Sequence, residues 1–143
     1  MPPRRALSGL VLIVLAAAGV VQGVRASVAQ AIYHHVKFRS PGQAVERSAA
    51  WCRCADRLYP YHYRLSNWMA QTAWARRTNE AGPLQPDRID LAREFVSHTL
   101  ALNPYQPDAR LLQARLLALR SPAQARDYWR AYVDWHFWSS YNQ

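Results

Sequence analysis

Glycine is scarce in this chain: five residues in 143, three of them before residue 24. A phosphate-cradling loop needs closely spaced glycines between a strand and a helix, and no stretch supplies them. Cysteine is limited to Cys52 and Cys54, which excludes a disulfide framework, paired Cys-x-x-Cys zinc spacing and a Cys-x-x-Cys-His haem attachment. The Gly-x-Ser-x-Gly elbow of a serine hydrolase is also missing. On a helix, residues two apart point about 200° from each other, so the two thiols neither bond nor share a metal. Cys52 is expected to act as a small core residue. Lysine is reduced to Lys37, and no aromatic residue precedes Tyr33.

What is present is arginine, aromatic mass and apolar residues. Lys plus Arg number 18 against nine acids, a net charge of +9, and half the residues are apolar. That composition is not a disordered one, and the length suits one small packed domain plus an appendage. The positive balance fits nucleic acid, an anionic membrane surface or an acidic partner.

The appendage is N-terminal. Arg4 and Arg5 precede Ala6 to Val24, 19 residues without a charge. As a helix this run covers about 28 Å, enough for a bilayer core. The run is longer than an ordinary signal-peptide core, although Ala16 and Ala18, or Ala29 and Ala31, offer cleavage patterns. A retained bacterial inner-membrane signal-anchor is the preferred reading. Arg4 and Arg5 favour a cytoplasmic N-terminus, while Arg25, Lys37 and Arg39 oppose that bias. The expected arrangement is single-pass, with a periplasmic, extracytoplasmic C-terminal domain. The span continues as a juxtamembrane helix to residue 39, and Ser40-Pro41-Gly42 marks the boundary to a domain over 40–143.

That domain reads as all-α, with about five helices. Gln43 to Leu58 places Ala44, Trp51, Ala55 and Leu58 on one face, with Val45, Ala49 and Cys52 beside it. Tyr63 to Arg77 repeats Leu65, Trp68, Met69, Thr72 and Ala73 at helical spacing. Thr78 to Asp87, with Asn79, Gly82, Pro83 and Pro86, reads as an extended loop. The next helix carries Ala92, Phe95, Val96, Thr99 and Leu100 on one face. Asn103-Pro104 stops it, and Pro107-Asp108 suits the first turn of another, with Ala109, Leu112, Leu116 and Leu119 as its apolar stripe. Ser121-Pro122 opens the last helix, whose face runs through Ala125, Tyr128, Trp129, Tyr132, Val133 and His136.

Thr99-Leu100-Ala101-Leu102-Asn103-Pro104, followed by Ala109 and Ala114, resembles the junction between successive tetratricopeptide (TPR) repeats. A shift of 44 residues lays Leu58 on Leu102, Pro60 on Pro104, Tyr61 on Tyr105 and Ala70 on Ala114, with Trp51 on Phe95 and Cys52 on Val96. This offset exceeds the family's period of about 34 because of the intervening loop. The resemblance implies antiparallel helical hairpins and protein recognition on a curved surface. It spans residues 43 to 138, and two repeats are fewer than the three of a free-standing stack.

No catalytic, cofactor or metal residue is expected. His62, in a corner between two tyrosines, is the most enzyme-like single side chain, and a lone histidine is more often structural. His34 and His35 are adjacent and share no ligand face. Asp87, Asp90 and Glu94 at a helix start need only the helix dipole to explain them. Arg47, Arg53, Arg57, Arg64, Arg76 and Arg77, interleaved with Trp51, Trp68 and Trp74, form a basic zone for which lipid headgroups or an acidic partner are favoured over nucleic acid.

The aromatics Trp135, Phe137, Trp138 and Tyr141 exceed what one neighbouring helix pair can cover, so they either fold back on the open edge or anchor a partner. The partner-binding residues expected are Tyr61, Arg64, Trp68 and Arg110, with Trp135, Trp138 and Tyr141 at the open end. The corresponding function is a non-enzymatic, membrane-anchored accessory or assembly subunit that docks on a larger envelope protein complex. It contacts membrane lipid and takes no small-molecule substrate. The alternatives are an accessory to a surface-polysaccharide polymerase or ligase, and an anionic-polymer or nucleic-acid binder.

Overall fold

A computed structural model describes residues 3–39, 44–76 and 85–141, with side chains omitted for 3–7 and 135–141. The described residues are helical throughout apart from short corners, with no strand among them, so the fold is all-α. Helix α1 runs Pro3–His34 and widens into a π-helical turn, His35–Arg39. Then follow α2 (Val45–Leu58), α3 (Tyr63–Ala75), α4 (Pro86–Leu102), α5 (Pro107–Ala118) and α6 (Pro122–Tyr141).

The chain forms two compact units, Met1–His62 and Tyr63–Gln143. The packing thus divides after His62, and α2 groups with α1 rather than with the helices that follow it.

In the first unit the apolar run of α1 stays uncovered: Leu10 to Val24 are all exposed. The helix is long and apolar enough to cross a membrane. Beyond Arg25 its character changes, and Ala29 and Val36 are buried alongside Val45, Ala49, Cys52 and Ala55 of α2. Spacings of three and four residues put the α2 side chains on one stripe, and Ala29 and Val36 are seven residues apart. The buried stripe is displaced from the sequence expectation, since Ala44 and Trp51 are exposed and Ser48 is buried in their stead. Small residues at Ser48, Ala49 and Cys52 leave room for close approach to α1, which the Trp51 indole would prevent. The π-helical turn is held locally: Lys37 Nζ donates to Tyr33 Oη at 2.8 Å and lies 5.0 Å from the Phe38 ring centre.

In the second unit α4 packs against both α3 and α5, and α5 against α6. The core comprises Leu65, Met69, Ala70 and Ala73 of α3, Ala92, Phe95, Val96 and Thr99 of α4, and Ala109, Leu112 and Leu116 of α5. Thr99 is tolerated there because its hydroxyl donates to the Phe95 carbonyl one turn back, at 2.8 Å. Leu119, expected on the α5 stripe, is 46 % exposed. The stripe ends there because α5 itself stops at Ala118.

Corner chemistry sets the helix limits. Gln85-Pro86-Asp87 and Gln106-Pro107-Asp108 open α4 and α5 in the same way, with an extended glutamine before a proline at the first helical position. Helix α4 thus takes in Pro86 and Asp87, which were expected to belong to the preceding loop. Ser121 caps α6, accepting from the Gln124 N–H at 3.4 Å.

Candidate docking site

The last helix carries the most open side chains of the second unit. From Pro122 to Asp134, none of the α6 side chains is buried. Ala125, Tyr128 and Tyr132 are half-buried against the rest of the unit, while Trp129 and Val133, one turn apart, are 38 % and 44 % exposed. The face that a six-residue apolar stripe predicts is thus covered along one flank only. Trp129 and Tyr132 hold each other with ring centres 5.4 Å apart, which fixes the indole on the surface.

Beside it, Tyr105, Arg110, Tyr128, Ala131 and Tyr132 line an open groove of about 190 Å³. Arg110 is its fixed point. Its Nε donates to the Pro104 carbonyl at 2.6 Å, one NH group donates to Tyr128 Oη at 3.1 Å, and the guanidinium carbon lies 5.6 Å from the Tyr128 ring centre. The side chain thereby ties the α4–α5 corner to α6. Tyr105, at that corner, is 60 % exposed. With Nε and one NH group so engaged, the remaining guanidinium N–H groups are what Arg110 can offer to a carboxylate or a peptide carbonyl.

The other expected docking residues lie on other elements. Tyr61 belongs to the first unit, is 69 % exposed and meets Tyr59 edge-on at 5.7 Å. Arg64 and Trp68 lie on α3, the first exposed and the second half-buried. The side chains of Trp135, Trp138 and Tyr141 lie outside the described residues. Tyr105, Tyr128 and Tyr132 were not among the expected set. Their signal was spacing: Tyr128 and Tyr132 sit one turn apart on α6, and Tyr105 follows the proline that closes α4.

The candidate histidines make contacts with neighbouring elements. His62 Nε2 is 2.7 Å from Gln30 Oε1, and its ring lies 5.4 Å from that of Tyr33, so it pins the end of the first unit to α1. His34 stacks on Phe38, and His35 meets Trp51 edge-on. Ser66 Oγ lies 3.0 Å from His98 Nδ1, a nucleophile–base distance that the sequence does not advertise. Ser66 has no exposed surface, and the contact joins α3 to α4. Among the described residues no three metal-ligating side chains converge. Of the basic zone, Arg47, Arg53 and Arg57 lie on α2 in the first unit, Arg64 lies on α3 and Arg76 in the turn after it in the second, and Arg77 lies outside the described residues. Comparison of the chain with known protein families, with curated proteins and with solved structures found no match.

Proposed function

We propose that this protein is a single-pass, membrane-anchored accessory subunit, without catalysis of its own, whose TPR-like helical domain docks on a larger envelope protein complex. The membrane part rests on α1, with its uncharged run and fully exposed apolar surface. Docking rests on one observation: α6 presents Trp129 and Val133 to solvent while burying none of its described side chains. An indole and a branched apolar residue flanking a tyrosine-lined arginine groove have the composition of an interface hot spot. An extracytoplasmic soluble domain is the orientation that Arg4 and Arg5, just before the apolar run, favour.

The test is purification of the full chain in mild detergent, with identification of co-migrating polypeptides, alongside a Trp129→Ala/Val133→Ser variant. The variant should retain its helical circular dichroism and its melting temperature to within a few degrees. It should lose co-migrating chains by roughly tenfold or more, the scale of a lost hot spot of about 2 kcal/mol. A wild-type protein that runs alone, or a variant that retains its companions undiminished, rejects docking through α6.

A further inference from the structure

We propose that the corner closing α2, Tyr59-Pro60-Tyr61, is a second membrane contact, lying in the lipid headgroup layer of the bilayer that α1 crosses. The inference rests on the spanning role of α1 and adds a depth to it. Arg25 is the first charge after the apolar run, so it marks where hydrocarbon ends. Its Nε donates to the Leu58 carbonyl at 2.8 Å and a second guanidinium nitrogen to the Arg57 carbonyl at 3.3 Å. The C-terminal end of α2 is thereby fastened level with the end of the span. On the far side of the corner, His62 Nε2 meets Gln30 Oε1 at 2.7 Å.

Those two contacts bracket the corner along the α1 axis. Gln30 lies five residues beyond Arg25, about 7.5 Å at the helical rise. The headgroup layer on each face of a bilayer is roughly 5–7 Å deep, from the difference between total and hydrocarbon thickness. Tyr59 to Tyr61 fall between the brackets, and their chemistry suits that depth. Tyr61 is 69 % exposed with Tyr59 edge-on beside it, Pro60 is exposed, and Val28 on α1 at the same level is 43 % exposed. Tyrosine rings with an apolar body and a wet hydroxyl concentrate at this interface, and Arg57 next to them is exposed to meet a phosphate. The occupant is therefore lipid headgroup.

The chain provides its own control. Tyr105 follows the proline of the later corner as Tyr61 follows Pro60, and it is 60 % exposed, but it belongs to the second unit. The experiment places a nitroxide on Leu15→Cys, Tyr61→Cys or Tyr105→Cys, one at a time, in a Cys54→Ser background of the full chain, where buried Cys52 stays unlabelled. Each is reconstituted alone in vesicles of three parts phosphatidylcholine to one of phosphatidylglycerol. Depth is read from the ratio of collisions with oxygen to those with a water-soluble nickel chelate. Leu15 should read as bilayer centre, Tyr61 as headgroup depth and Tyr105 as bulk water. Equal, aqueous values at Tyr61 and Tyr105 with Leu15 in lipid overturn the corner contact and leave the span standing. An aqueous Leu15 overturns both.

Discussion

Cys52 and Cys54 stand on opposite sides of α2, and their environments separate their reactivity. Cys54 is exposed, whereas Cys52 is fully buried and its thiol is pushed up from 9.0 to about 12, first by burial and then by the Asp56 carboxylate, with Arg53 opposing. Alkylation of the folded protein at pH 8.5 should therefore modify Cys54 alone by mass spectrometry, with Cys52 reacting only after denaturant is added. The linkage has a definite sign. A folded-state value above the unfolded one means that the native chain holds its proton longer, so this contribution is complete below about pH 9 and is lost as pH rises toward 12. Denaturation followed between pH 8 and 11 should show the gap between wild type and Cys52→Ala narrowing as pH rises. A constant gap would mean that the thiol ionises in the folded chain as easily as in the unfolded one.

At the scale of elements, corner geometry repeats more faithfully than core geometry does. Tyr59 closes α2 at φ −144°, ψ 88° with its N–H on the Ala55 carbonyl, and Asn103 closes α4 at φ −138°, ψ 89° with its N–H on the Thr99 carbonyl. The 44-residue shift maps one cap onto the other, and it maps Tyr63, where α3 begins, onto Pro107, where α5 begins. Equivalence fails at the aromatic position: Phe95 is 2 % exposed and Trp51 is 40 % exposed. Phe95→Ala should accordingly cost about 3–5 kcal/mol in urea unfolding, and Trp51→Ala about 1 kcal/mol or less. Comparable losses would mean that α2 buries its indole after all.

The same contrast explains what the sequence could convey. Helix limits were legible because proline, serine and asparagine at the corners act on the backbone within a turn, and the stripe of Ala92, Phe95, Val96 and Thr99 was legible because three of its four residues are apolar at helical spacing. Which helix covers which stripe was not. Val45, Ser48, Ala49 and Cys52 owe their burial to α1, a long-range partner that no local pattern names, and the larger apolar residue Trp51 drew the expected face towards itself. At the candidate site, Arg110 was legible as a residue but not as the tie between Pro104 and Tyr128, because that contact depends on where α6 lies.

For the whole molecule, the distribution of charge decides what kind of partner the surface takes. Five of the cations, Arg4, Arg5, Arg25, Lys37 and Arg39, precede the first acid, Glu46, so more than half of the +9 belongs to the segment built around α1. The remaining hundred or so residues carry thirteen cations against nine acids. On α6 the balance is neutral, with Arg126 and Arg130 matched by Asp127 and Asp134 around the exposed Trp129. A surface of that kind binds by burying apolar area, which salt does not screen, rather than by releasing counterions. Raising salt from 50 to 200 mM in detergent should therefore leave co-purification within about tenfold, and a single-stranded oligonucleotide added in excess should not displace the companion. Capture of a polyanion through 6–10 phosphates would instead fall by about 10³–10⁵ over the same range. A loss of that size, together with displacement by the oligonucleotide, would replace the proposed protein partner with an anionic polymer.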